Sequence, residues 1–244
     1  MVYRRPMRST TILLAVGLAL AFLAPPSAAV AQDLLAVAPQ LAKVEYEDTR
    51  VRVVRLRIPE HASVPMHDRP RRVVVSLTAN HVRLTRADGS ASVTRTAPGT
   101  VAWSEPAVRS VLNLGAPLEN IVVELQQADD PGKPVPAPPS APPAEYLVEP
   151  WHAWAFENQY VRVYDVRIPR GGTTTFHRHA YDQVAVHVSG GRVSTQLEGK
   201  PWTPAETIEP RAVSFSAHAS KPMTHRVRND GESEYHVILV QFLK

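Results

Sequence analysis

The sequence predicts an all-β protein built as a tandem repeat, and three observations carry that prediction. Val51-Arg-Val-Val-Arg-Leu-Arg-Ile-Pro59 aligns without a gap on Val161-Arg-Val-Tyr-Asp-Val-Arg-Ile-Pro169, and self-similarity at a fixed offset marks a repeated structural unit. Apolar and charged residues mostly alternate from Val44 to Pro59, and again from Ala155, as in a half-buried strand. Convincing long amphipathic helices are absent. Between the repeats, Asp130 to Ala144 is so rich in proline that it cannot supply strand hydrogen bonds, so an exposed polyproline-like connector is expected there.

The N-terminus carries Arg4, Arg5 and Arg8, then an apolar run from Ile12 to Ala24, then Pro-Pro-Ser-Ala-Ala-Val-Ala-Gln. This order of charged, apolar and small residues reads as a secretory signal peptide over residues 1–31, with Ala29 and Ala31 at the cleavage offsets and Gln32 beginning the mature chain. The apolar run is shorter than the roughly 20 residues of a comfortable membrane helix, and no later stretch approaches that length. A periplasmic or secreted protein with no stable membrane span after cleavage is expected, with an uncleaved N-terminal anchor as the other reading. Losing three arginines from 27 basic residues leaves 24 against 23 acidic ones, a balance that favours no nucleic-acid partner. The chain has no cysteine, so it forms no disulfide and offers no thiolate as nucleophile or ligand.

The 244 residues suffice for two modest domains, expected over 32–129 and 145–244 with the connector at 130–144. Strand signals recur in the same order in each half. Val73 to Thr78 corresponds to Gln183 to Ser189, the Asp88-Gly89 hairpin signal to Glu198-Gly199, and the apolar run Ile121 to Leu125 to Val237 to Phe242.

The second half holds the chemistry. His177 and His179 are two apart, which on a strand points both imidazoles to one face. From Gly171 to Gly190 the pattern is G-x5-H-x-H-x3-Q-x6-G, and His225 to Asn229 supplies H-x3-N after Pro210. These residues resemble the two motifs of the cupin superfamily, with two departures: Gln183 stands where the ligand Glu is usual, and Ala212 replaces a Gly. The resemblance implies two tandem cupin barrels (double-stranded β-helix, or jelly-roll) joined by the Pro-rich linker, the second holding one divalent transition metal ion (Fe, Mn, Ni, Zn or Cu) through His177, His179, His225 and Gln183. Neutral imidazoles suit such ions and leave positions open for water or substrate. With an uncharged Gln in the carboxylate position the ion keeps its full charge, and Gln183 either coordinates through its amide oxygen or hydrogen-bonds to bound water. The competing reading keeps these histidines for packing alone.

His187, four residues after Gln183, also faces the barrel interior on this reading and is a candidate catalytic acid or base, against the plainer role of a satisfied core histidine. His218 falls in the loop before His225, near the expected mouth. Phe176 and Tyr181 should point outward.

In the first repeat the corresponding set is His67, Arg69, Val73 and Arg109, followed by Asn113. One imidazole cannot hold a metal, but two guanidiniums beside it suit a carboxylate or phosphate, which makes His67, Arg69 and Arg109 candidate ligand-binding residues. The alternative is a degenerate barrel, kept for dimerisation or stability, with its arginines paired to local acids such as Asp68.

Fold does not fix function, and two classes fit. One is an exported metal-dependent enzyme resembling the two-barrel quercetinase-like dioxygenases, in which a metal binds an enolate or catecholate oxygen. The other is a non-catalytic periplasmic binding or scaffold protein for a small carboxylate or sugar. A small-molecule ligand is expected in both, and a homodimer is compatible with both.

Overall fold

The computed structural model describes residues 32–126 and 149–243. The leader at 1–31 and the Pro-rich connector at 130–144 lie outside the described residues.

A single turn of helix, α1 (Leu34–Val37), opens the described chain, with the Asp33 carboxylate accepting from the Leu35 amide at 2.8 Å. The first repeat then runs β1 (Ala42–Glu47), β2 (Val51–Ile58), β3 (Ser63–Arg69), β4 (Arg72–Ser76), β5 (Asn80–Arg86), β6 (Ala91–Thr96), β7 (Val101–Ser104), β8 (Ala107–Asn113) and β9 (Leu118–Leu125). The second runs β10 (His152–Glu157), β11 (Val161–Ile168), β12 (His177–His179), β13 (Gln183–His187), β14 (Gly191–Leu197), β15 (Glu206–Ile208), β16 (Val213–Ser216), β17 (Met223–Asn229) and β18 (Tyr235–Phe242).

The repeat seen in the sequence is complete in the topology. Strand orders β1-β2-β9-β4-β7 and β3-β8-β5-β6 in the first half become β10-β11-β18-β13-β16 and β12-β17-β14-β15 in the second, so each strand has its counterpart nine elements on. Neighbours pair antiparallel throughout. Each repeat thus makes a five-stranded and a four-stranded sheet, and the Asp88-Gly89 turn joins β5 to β6 with Gly89 at φ +83°, a conformation that costs glycine nothing.

Side-chain alternation divides the five-stranded sheets into two working faces. On β11 and β18, Tyr164, Val166, Ile168, Tyr235, Val237 and Leu239 pack within the second barrel, while Val161, Val163, Ile238 and Val240 point the other way. There they meet Val51, Val53, Val73 and Val123 of the first barrel in one apolar cluster. The two sheets therefore pack back to back, each buried valine adding roughly 1.5 kcal/mol or more of transfer free energy. The half-buried alternation expected from Ala155 is corrected for β11, which is buried along most of both faces, while the apolar run expected at Val237 to Phe242 is found in β18. β18 is buried along its whole length, because its outer face is covered by the other barrel, and strands buried on both faces read as near-continuous apolar runs.

Polar contacts frame this shared core. Arg50 reaches Asp182 at 2.7 Å, Arg55 donates to the Arg211 carbonyl at 2.8 Å, and the Arg211 guanidinium meets Glu119 at 3.0 Å. Tyr46 stacks on Phe215 with ring centroids 4.2 Å apart. Arg211 itself sits at φ +65°, in the place of Gly99 at φ +81° in the first repeat.

Candidate metal centre

β12 and β17 are neighbours in the four-stranded sheet, and their register sets His177 directly opposite His225. His179 follows two residues on, on the same face, while Arg178 between them is exposed. The loop after β17 is clamped by Asn229, whose amide donates to the carbonyls of Ile168 at 2.9 Å and Ser233 at 2.7 Å. Asn113 does the same in the first barrel toward Ile58 and Ala116. The Asn of the H-x3-N motif is thus a loop clamp that fixes the strand carrying His225.

A fourth imidazole joins the three expected from the motifs. His152, the first residue of β10, brings its ring centroid to 4.5 Å from that of His177, and the nitrogens that His152, His177 and His179 present lie within 4.8 Å of one another. His225 completes the group at 4.7 Å from His177 and 4.9 Å from His179, ring to ring. Sequence reasoning missed His152 because its counterpart in the first repeat is Ala42, as the pairings Ala42 with Leu56 and His152 with Val166 show. The available signal was Glu-x-x-His, Glu149 to His152.

Three of the four rings, those of His152, His177 and His179, are held by Nδ1. His152 Nδ1 lies 2.5 Å from the Glu149 carboxylate, which also accepts from the amides of Trp151 and Thr175. His177 Nδ1 donates to the Thr175 carbonyl at 2.9 Å. His179 Nδ1 donates to Gln183 Oε1 at 3.0 Å, and the Gln241 amide donates to the same oxygen at 3.3 Å. A histidine whose Nδ1 proton is engaged in this way presents Nε2 as a lone pair, the tautomer that metal ligation needs.

Three of the cluster's nitrogens meet no protein group. His177 Nε2 and both nitrogens of His225 are buried without a hydrogen-bond partner, a costly condition unless something else meets them. Burial, followed by the mutual repulsion of neighbouring imidazoles, pushes His225 down to about 3 and His179 to about 2. Burial, and then the nearby His152, pushes His177 to about 4. These three rings are neutral at pH 7, as metal ligation requires. Four imidazoles without a carboxylate among them fit a borderline divalent ion of the Fe, Ni, Cu or Zn type, so the donor set matches the ion that the motifs imply.

The remaining candidates take different places. Gln183 is buried beside the cluster, lines the same cavity as the imidazoles, and contacts His179 through its Oε1. His187 lines the same cavity, of about 360 Å³, but stands four residues further along β13, about 13 Å from Gln183 at strand spacing. Its Nδ1 meets the Tyr235 hydroxyl at 2.8 Å, and burial pushes it down to about 4. His218 is buried with its ring 5.4 Å from His179. Phe176 and Tyr181 are among the exposed aromatics, as expected of outward-facing side chains.

In the first barrel His67 faces Arg109 across β3 and β8, the register that His177 and His225 keep. Val73, however, is not the counterpart of Gln183. Gln183 pairs with Gln241 on β18, and the matching pair is Arg72 with Glu124 on β9. The connection after the second motif position is one residue shorter in the first repeat, which puts Arg72 toward the cavity and Val73 into the core between the barrels.

No family model matches this chain, and no curated protein does. Solved structures do resemble it. AerE from Microcystis aeruginosa superposes with a TM-score of 0.55 at 12% identity, over 84% of this chain and 98% of that one. The formate complex of Lactobacillus farciminis oxalate decarboxylase gives 0.54 at 13%, over 83% and 80%. A cupin 2 conserved barrel domain protein from Leptotrichia buccalis gives 0.50 at 7%, over 82% and 88%. With the strand order and the histidine cluster, these likenesses define the class: the protein has the cupin fold in its two-barrel form. Its second barrel carries a histidine cluster suited to a divalent metal ion.

Proposed function

We propose that this is an exported metal-dependent oxidoreductase of the dioxygenase type, which holds one divalent transition metal ion among His152, His177, His179 and His225 and acts on a small molecule in the adjoining cavity. One observation carries the reading: buried, neutral imidazoles with unpartnered nitrogens converge at the end of a cavity large enough for a substrate. A structural metal would need no such space beside it.

A bound divalent ion would supply Lewis acidity toward an enolate or catecholate oxygen and, if redox-active, one-electron chemistry. The chain's own residues supply the rest. Glu149 and Gln183 hold His152 and His179 in the ligating tautomer, and their partner hydrogen bonds fix the ring orientations. Val166, Ile168, Val193 and Leu239 form apolar cavity wall that keeps water from the reacting group. Gln183 cannot take a proton as a carboxylate would, so proton transfer falls to the other imidazoles near the site: His187, which lines the cavity, or His218, with its ring 5.4 Å from that of His179.

Metal analysis of the purified protein, together with oxygen uptake on a flavonol and a catechol as probes, tests this reading. Near-stoichiometric metal and uptake that disappears in His225→Ala support it. Metal without turnover on any enol or catechol supports the non-catalytic binding protein instead. N-terminal sequencing of the exported form tests the export step, with Gln32 as the expected first residue.

A further inference from the structure

The first barrel holds a cavity of about 200 Å³ in the position that the candidate metal centre occupies in the second. Three arginines reach it from both sheets: Arg69 on β3, Arg72 on β4 and Arg109 on β8. No acidic side chain lines it among the described residues. Arg69 Nη1, Arg72 Nη2 and Arg109 Nε are all buried there without a hydrogen-bond partner. Arg72 is 2% exposed.

We propose that this cavity binds a small monocarboxylate with an apolar body, its carboxylate held by Arg69, Arg72 and Arg109. The inference stands apart from the metal chemistry of the second barrel. The local acids do not satisfy these cations. Asp68 forms no ion pair with them among the described residues, since alternation turns it away from the face of His67 and Arg69. Glu124 lies 3.2 Å from Arg72, but its other oxygen takes two hydrogen bonds from Arg52, at 2.8 and 2.6 Å, and Arg52 also holds Asp33. Arg52, Arg69, Arg72 and Arg109 therefore share two carboxylates, which leaves a buried excess of positive charge.

Such an excess is costly unless something anionic meets it. Burial, and then repulsion from Arg109, brings Arg69 down to about 10. Burial likewise brings Arg72 to about 9, against the partial support of Glu124. Both remain charged at neutral pH.

The rest of the cavity selects the ligand class. Leu56, Val82, Val111 and Leu118 form apolar wall, with the hydroxyls of Ser76 and Thr94 among them. A guanidinium fork matches a carboxylate in two parallel hydrogen bonds, and the apolar wall suits a hydrocarbon or aromatic body better than a naked inorganic ion. Water occupies about 30 Å³ in the liquid, so the cavity has room for roughly seven water-sized groups. Benzoate and hexanoate are of that scale.

The test is calorimetric titration of the full-length protein, first treated with a chelator so that no carboxylate is captured by metal in the second barrel. Benzoate or hexanoate should saturate one site per chain. Benzyl alcohol, which lacks the charge, should bind at least 100-fold more weakly. Arg69→Met and Arg109→Met should each weaken benzoate binding at least tenfold, and Arg69→Lys should fall between them and the unmodified chain. Benzoate should also shift the His67 imidazole NMR resonances of the unmodified protein. Absence of saturable binding of either carboxylate to the unmodified protein overturns the proposal without recourse to any variant. So does inorganic phosphate binding more tightly than both carboxylates, or benzoate affinity unchanged in folded Arg69→Met.

Discussion

His177 and His225 face each other across an antiparallel ladder with their rings 4.7 Å apart, and the same two ladder positions in the first barrel hold His67 and Arg109. One backbone register thus serves two chemistries. In the second barrel it assembles neutral nitrogen donors; in the first it sets an imidazole against a guanidinium. The repeat preserves the strand order and the clamping asparagines while the cavity residues diverge, as expected if the fold needs the former and each site needs only its own side chains.

Glu149 is expected to matter to the metal as much as its distance from the cluster allows. It engages His152 Nδ1 and sets the ring. Glu149→Gln should lower metal affinity by about 10- to 100-fold, and His152→Ala should release metal to a similar or larger extent. Competition with a chromogenic chelator measures both. Full affinity in both variants would remove His152 from the site.

Acid should destabilise the metal-free protein through the same rings. His177, His179, His187 and His225 are held at about 4, 2, 4 and 3 against an ordinary value of 6.5. Between those values the unfolded chain binds more protons than the folded one. Their contribution is therefore present in full above about pH 6.5 and is lost as pH falls toward 4, by about 1.4 kcal/mol per pH unit for each ring fully in that window. The thermal midpoint of chelator-treated protein should be flat above pH 6.5 and fall steeply below it. A midpoint independent of pH between 7 and 5 would contradict the burial of neutral imidazoles.

Much of this was legible in the sequence because strands alternate. The H-x-H spacing alone puts His177 and His179 on one face, and the ordered motifs locate His225. His152 was illegible for a physical reason: it enters from a strand end with no motif of its own, opposite a repeat partner, Ala42, that has no polar group to align. Arg72 was hidden by a one-residue shortening of the preceding connection. A slip of one residue reverses every side chain of a strand, so the ungapped comparison set Val73 where Arg72 belongs. The shared core was hidden as well, since the arginines of Val51 to Ile58 suggest a solvent face, whereas Arg52 and Arg55 are spent on Glu124 and Glu119.

That shared core predicts how the halves behave when separated. Val161, Val163, Val184, Val186, Ile238 and Val240 bury one face against the first barrel. A fragment spanning 149–244 alone would expose a contiguous apolar sheet face and should aggregate or bind a hydrophobic dye. Residues 32–126 and 149–244 produced as two polypeptides in one cell should instead co-purify as a complex. A monomeric, cooperatively folding C-terminal fragment would show that the interface is dispensable.

Gln183 gives the sharpest test of the site. Its Oε1 accepts the His179 Nδ1 proton at 3.0 Å while the Gln241 amide donates to the same oxygen at 3.3 Å. Gln183→Glu keeps an acceptor in that place, so both donors stay satisfied, and adds a negative charge within hydrogen-bond reach of His179. The carboxylate makes the imidazole a more basic ligand and attracts the ion directly. Metal affinity should rise about tenfold, equivalent to about 1.4 kcal/mol, while the Lewis acidity of the bound ion falls. Gln183→Leu should act in the opposite sense, since His179 loses the partner that fixes its tautomer. His225→Ala should release most of the metal, and Arg109→Ala, at the same ladder position of the first barrel, should leave metal content unchanged. Competitive metal titration across these variants separates the possibilities. If Gln183→Glu leaves affinity where it was, or His225→Ala retains its metal, the four imidazoles are packed core residues and the ion must bind elsewhere.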